Sequence, residues 1–200
     1  RAKLGSAGDA AATEPGNGPA AMLGGRQVAW LEKQLSASRA TFKVIISGGP
    51  MLSQERGSWS DFPAERAGFL NWLFERHITG VIFAGGHEGF GELSRRPANV
   101  RGLGEYSLFE LSSGPLADQR AKDTVGEPRD GAADGAPERP ADGVGSVEIN
   151  SLRVGQVVRG DQFGTLEFAG PAGHRHVTLR LRDQTGRLLL QQVILADALQ

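Results

Sequence analysis

Two short runs of apolar and β-branched residues, 40–47 (ATFKVIIS) and 80–84 (GVIFA), each follow a helical pattern and each stop at a pair of glycines. Runs of that length and composition read as strands buried on both faces. Upstream of the first run, Val28, Leu31 and Leu35 recur at helical spacing, with Arg26, Glu32 and Lys33 on other faces. The spacing predicts an amphipathic helix over 25–36. Upstream of the second, Pro63 suits the first turn of a helix, with Ser60 or Asp61 before it as caps. That helix extends to about residue 76, and Phe69, Leu70, Trp72, Leu73 and Phe74 give it a broad apolar face. Helix alternating with strand favours a layered α/β arrangement, in which ligand chemistry gathers beyond the carboxyl ends of the strands. The glycine-rich loop Gly85-Gly86-His87-Glu88-Gly89-Phe90-Gly91 holds that position.

The rest of the chain divides by composition. Residues 1–21 are small and polar and read as a flexible lead-in. Residues 22–116 contain the helices, the two strands and a third strand candidate at 105–111. Residues 117–145 are almost entirely Asp, Glu, Arg, Gly, Ala and Pro. Such a stretch cannot bury enough apolar surface to offset the entropy of ordering, and it reads as a disordered insertion. Residues 146–200 are β-rich and are expected to complete the same domain. There, 162–168 is a strand candidate, and Val177, Leu179 and Leu181 alternate with Thr178, Arg180 and Arg182, as in a half-buried strand. Asp183-Gln184-Thr185-Gly186 then turns the chain into a partner strand over 187–195.

Charge and residue usage exclude several function classes. A net charge of −1 over 200 residues gives no global attraction to nucleic acid or an anionic membrane. With no cysteine, disulfides and thiolate metal sites are ruled out. No apolar run approaches the roughly 20 residues of a membrane-spanning helix. No secretory leader is visible, but the chain starts at Arg1, so compartment stays open.

Several segments, in order, resemble the PhoD-like phosphatases (alkaline phosphatase D type metallophosphatases). Leu23-Gly24 leads into a helix with Gln27, Trp30 and Leu31 in the family's Gln-x-x-Trp-Leu spacing. The strand with Phe42-Lys43-Val44-Ile45 follows. Trp59, then Phe62-Pro63-Ala64-Glu65-Arg66, is similar to the family's Trp-x-x-aromatic-Pro-x-x-Arg stretch. Gly80-Val81-Ile82-Phe83 passes through the glycine loop to Glu92-Leu93-Ser94. Ser112-Ser113 and Pro115-Leu116 come after a strand. Phe163-Gly164, Thr178-Leu179-Arg180-Leu181-Arg182-Asp183 and Gly186 close the series. The resemblance spans residues 22–195. It implies an α/β fold, the C-terminal part of a four-layer α/β/β/α metallophosphatase sandwich ending in antiparallel strands. It also implies hydrolysis of phosphomonoesters or phosphodiesters with divalent metal ions (Ca, Fe, Mn or Zn), and a periplasmic or secreted setting.

The resemblance also points to site residues. The family follows this strand with Gly-Asp-x-His; here His87 stands at the Asp position and Gly89 where the His belongs. Gly89 has no side chain to ligate metal, so His87 is the metal ligand carried over, with Glu88 and Glu92 as carboxylates that would orient it. The plainer reading of His87 is a hydrogen-bonded loop histidine. Trp59, in a loop near strand ends, is a candidate wall of a substrate cleft. Arg66 is either a phosphate contact, since a guanidinium matches phosphate oxygens, or a solvated helix residue beside Glu65. Trp30 and Trp72 are expected in the core. His174 and His176 form a literal Gly-His-x-His but open the C-terminal hairpin, and read as strand-surface residues; His77 reads as a helix-terminal residue.

The early Asp-x-His or Asp-x-Tyr and the Asn-His-Asp/Glu that supply the family's other ligands do not occur in this chain. The expectation is therefore a C-terminal fragment of a phosphoesterase, inactive alone. The alternative is a non-catalytic relative that binds a phosphorylated ligand or a protein partner.

Overall fold

A computed structural model describes residues 20–54, 58–86, 89–100, 104–114, 116 and 150–199. The lead-in up to residue 19 and the acidic insertion at 117–145 lie outside the described residues. Two α-helices, α1 (Gly24–Ala37) and α2 (Pro63–Glu75), two short 3-10 helices (Trp59–Asp61 and Ala196–Leu199) and eight strands are the regular elements of the described residues. Strands β1 (Lys43–Ser47), β2 (Val81–Gly86), β3 (Phe90–Val100), β4 (Gly104–Ser113) and β5 (Arg153–Arg159) form one sheet in the order β1-β2-β4-β3-β5. Strands β6 (Gln162–Ala169), β7 (His176–Asp183) and β8 (Leu188–Leu195) form a second, antiparallel sheet.

Alternation along the strands of the first sheet sends side chains to two cores. Val81 and Phe83 of β2, with Tyr106 and Leu108 of β4, meet Leu35 of α1 and Phe69, Leu70 and Leu73 of α2. Ile82, Leu93, Phe109 and Leu111 point the other way, onto Val177, Leu179 and Leu181 of β7. The described residues thus form three layers, helical, five-stranded and three-stranded. Among them, no helix is long and apolar enough to cross a membrane.

Three strands of the first sheet run parallel: β1 with β2, and β2 with β4. Ser47, Gly86 and Ser113 therefore end at one edge of the sheet. β3 is antiparallel to β4 and starts at that edge with Phe90; β5 ends there, with Arg159 opposite Phe90.

β3 and β5 go beyond the sequence expectation, and the reason for β3 is its Arg95-Arg96-Pro97 centre, which does not read as a strand. The Arg95 N–H reaches the Leu152 carbonyl at 2.8 Å on the β5 side. Pro97, two residues on, turns its donorless nitrogen to the same side, past the last β5 pairing at Ser94–Arg153. Proline is tolerated where no neighbour asks for a bond. Within residues 150–199, β5 joins the large sheet, and β6 to β8 make the small one.

Both helices end in ways that tie the fold together. α1 has no side-chain cap of its own. Instead Glu65 of α2 accepts the Met22, Leu23 and Gly24 N–H groups at 2.6, 3.0 and 3.2 Å. A carboxylate there satisfies otherwise unpaired donors and complements the helix dipole.

α2 ends with the His77 N–H on the Phe74 carbonyl and the Ile78 N–H on the Leu73 carbonyl. That is the paired closure usually made by a left-handed glycine. His77 occupies the left-handed region with φ 53° and is exposed, so it is a helix-terminal residue carrying backbone strain. His77→Gly should stabilise the protein by about 1 kcal/mol, because the left-handed penalty of roughly 1–2 kcal/mol disappears against glycine's larger entropy loss. Thermal unfolding of the two forms measures this; an unchanged or lower Tm would contradict it.

Candidate functional site

On the helix-facing side of the first sheet, the register places four polar side chains among apolar ones. Glu92 lies opposite Ser112, and Ser94 opposite Glu110, so all four share one face. Each is at most 1% exposed. Two buried carboxylates in such a place must find donors, since desolvating an unpaired charge costs far more than a surface contact returns.

Glu92 finds them across the sheet. Its Oε1 accepts from Asn150 Nδ2 at 2.8 Å, and its Oε2 from Arg153 Nε at 2.7 Å. Asn150 also donates to Ser94 Oγ at 2.8 Å and accepts from the Leu152 N–H at 3.0 Å. This network fastens the start of β5 to β3.

Glu110 finds its donors in the loop after β1. It accepts the Met51 and Leu52 N–H groups at 2.5 and 2.6 Å, with a further backbone bond from Ser53. Burial pushes its carboxyl up to about 7; the three N–H bonds pull it down, and nearby Glu92 adds to the rise. Close approach makes the contact possible. A Cβ at Gly85 would lie 3.2 Å from the Pro50 Cα, a tight contact, so the bare backbone lets the loop lie this near β2 without a shift.

The sequence-predicted residues separate here. His87 and Glu88 lie outside the described residues. β2 continues to Gly86 and β3 starts at Phe90, so much of the expected glycine loop is strand. Because β4 lies between β2 and β3, the connection from Gly86 to Phe90 has two strand spacings to cross, roughly 10 Å. Glu92 is buried on β3 with both oxygens engaged by Asn150 and Arg153.

Trp59 does not open onto a cleft. It is 1% exposed in a short 3-10 helix (Trp59–Asp61), its ring against Phe69, and its Nε1–H donates to Ser47 Oγ at 3.0 Å. Arg66 is half-buried, with Nη2 donating to the Leu52 carbonyl at 2.9 Å and Nε without a partner. Trp72 stacks on Phe69 as expected, but Trp30 is 62% exposed, contrary to the core expectation. α1 turns Leu31 and Leu35 inward, and Trp30, about 100° around the helix from Leu31, lies outside that stripe. His174 sits in the turn before β7, and His176 opens that strand.

Glu110, Asn150 and Arg153 went unnoticed in the sequence. The signal for Glu110 was present: period two puts it on the same face as Tyr106 and Leu108, an acid at an inward position. Asn150 borders the acidic insertion, and no pattern marked it. Among the described residues, no three His, Asp or Glu side chains come together as a metal-ion group. The donor chemistry agrees, since the protein itself fills the oxygens of Glu92 and Glu110.

No family model matches the sequence, and no curated protein does. A solved structure resembles it in part. That structure, described as "Structure of PhoD", is 14% identical, with a TM-score of 0.44 over 86% of this chain. The chain spans 35% of that protein's length.

Proposed function

We propose that this chain is the C-terminal part of a PhoD-like metal-dependent phosphoesterase, with a degenerate Gly-His-Glu-Gly turn and no turnover by itself. What supports the reading is where the resembling segments fall. The strand through Ile45, the strand through Phe83 and the strand before Ser112-Ser113 belong to three different resembling segments, and the parallel register ends all three at one edge. Strand carboxyl ends of this kind are where α/β folds keep their ligand chemistry. In such enzymes a divalent ion (Ca, Fe, Mn or Zn) activates water and neutralises phosphoryl charge. The described residues do not fit such an ion by themselves; the reading assigns ligation to His87, with Glu88 beside it, and to polypeptide beyond this chain. Val44 and Ile46 on the open edge of the sheet are 39% and 82% exposed, and Trp30 beside them is 62% exposed. Apolar surface of that kind suits further chain packing there, including the fourth layer of the sandwich. A periplasmic or secreted setting and a phosphate-ester substrate belong to the same proposal.

A second reading is a non-catalytic relative that binds a phosphorylated ligand or partner. Gly89 favours it: it stands where the family has a histidine, although a Cβ there would meet nothing within 4 Å. The glycine is thus not imposed by packing.

The test is purified protein with Ca, Mn, Fe or Zn, assayed on an aryl phosphate and an aryl phosphodiester beside His87→Ala. The expected result is hydrolysis no faster than metal in buffer, and weak metal binding that His87→Ala reduces by about 10–100-fold or more. Robust turnover would overturn the fragment reading. Metal binding untouched by His87→Ala would overturn the site assignment.

A further inference from the structure

Away from the carboxyl edge, a cleft of ≈ 500 Å³ opens between α2 and β3, lined by Arg66, Arg96, Gln54, Asn71, Leu70 and Leu152 among others. Two guanidinium groups in one cleft repel each other, and neither forms an ion pair with a described carboxylate. Arg66 donates to the Leu52 carbonyl at 2.9 Å, which fixes its head group, while its Nε–H is buried and without a partner. Arg96 is held over the Phe74 ring, 6.0 Å from the centroid. Glu110 lies near Arg66, but its oxygens are taken by backbone N–H groups.

We infer that this cleft is an anion site, and that its ligand is the phosphate group of a small phosphorylated molecule. Two pre-positioned guanidinium groups match phosphate oxygens in charge and fork geometry. Asn71 and Gln54 line the same cleft and offer amide donors, and Leu70 and Leu152 offer apolar surface to the organic part. Burial first, and the Arg96 charge second, hold the Arg66 guanidinium below its ordinary pKa. A bound dianion would relieve the second of these. Arg96 is six residues along β3 from Phe90, roughly 20 Å from the carboxyl edge. The site is therefore separate from the glycine turn, and does not depend on the phosphoesterase reading.

The experiment uses the full chain in EDTA at constant ionic strength, with inorganic phosphate as the probe and chloride as the control. Binding is read by thermal shift and by 31P NMR line broadening. Phosphate should raise Tm saturably where chloride does not. Arg96→Gln should keep its fold and weaken phosphate binding by roughly 10–100-fold, as expected for losing a charged hydrogen bond. Arg96→Lys should restore part of it, and His87→Ala should leave it unchanged. A phosphate effect no larger than that of chloride, or one that survives Arg96→Gln, would overturn the inference. So would an effect lost in His87→Ala, because the anion would then sit at the glycine turn. Working without metal keeps this outcome separate from failure of the metal-site proposal.

Discussion

Gly80→Ala should cost the protein roughly 3–5 kcal/mol, enough to lower Tm by about 10 °C in a chain of this length. Gly80 has φ +74°, where an L side chain carries a penalty of roughly 1–2 kcal/mol. A Cβ there would also lie 2.1 Å from the Thr41 backbone oxygen, closer than any real contact. The clash cannot be relieved by a side-chain rotation, because the backbone around Gly80 is bonded on both sides. Its carbonyl accepts the Lys43 N–H at 2.7 Å, and its N–H donates to the Leu199 carbonyl at 2.8 Å. Any shift pulls on the start of β1 and the start of β2 together. Gly173→Ala is the control: its φ of +86° is similar, but a Cβ there would meet nothing within 4 Å. That variant should lose only about 1 kcal/mol. Equal losses in thermal unfolding would show that conformation alone, and not the close approach of Thr41, makes Gly80 necessary.

Glu110→Ala should be comparably severe. It removes the acceptor for the Met51, Leu52 and Ser53 N–H groups in a site with no water-facing alternative. Each buried donor left unpaired costs about 1–3 kcal/mol, so the loss should reach roughly 3 kcal/mol or more. Faster hydrogen exchange at Met51, Leu52 and Ser53 would locate it; unchanged exchange there would contradict the assignment.

The same carboxyl makes stability depend on pH in a definite direction. Its folded pKa, about 7, lies above the ordinary 4.5, so folding favours the protonated form. The contribution is present in full below about pH 4.5 and is lost as pH rises through 7. The most this group can remove is about 3 kcal/mol, at 1.36 kcal/mol per unit. Asp183 works oppositely and lower: hydrogen bonds from Thr185, then Arg187, hold it at about 2. Its contribution is present above the usual 3.8 and lost only as pH falls toward 2. Glu110→Gln does not titrate, so the stability gap between it and the parent should be wider at pH 5 than at pH 8. A gap that stays constant or widens with pH would contradict the raised carboxyl.

Much of the fold was legible from local pattern. Val177, Leu179 and Leu181 alternate with polar residues, and all three are fully buried on β7. Pro63 opens α2 at its first position, and Lys43 to Ser47 form the short strand that β-branched residues suggest, but not one buried on both faces: β1 is the outermost strand of its sheet, and Val44 and Ile46 are 39% and 82% exposed. These features arise within a few residues of sequence, where propensity and period suffice. β3 was not legible, because Pro97 is tolerated only by virtue of where β5 begins, at Arg153 opposite Ser94. Trp30 was misplaced for a related reason: its helix predicts a stripe, but the partner surface decides how wide that stripe is.

The candidate site shows the same division. The sequence alone determined that an α/β alternation carries two strands into glycine pairs and that thiolate chemistry is absent. Only the tertiary structure decided that Glu92 is bound by Asn150 and Arg153, from beyond the insertion, and that Glu110 holds the loop after β1. It also brought Arg66 and Arg96 into one cleft. The physical reason is range. Periodicity and turn chemistry act between near neighbours, whereas a buried charge takes its partner from whichever segment the packing delivers, backbone or side chain, here 58 to 61 residues away.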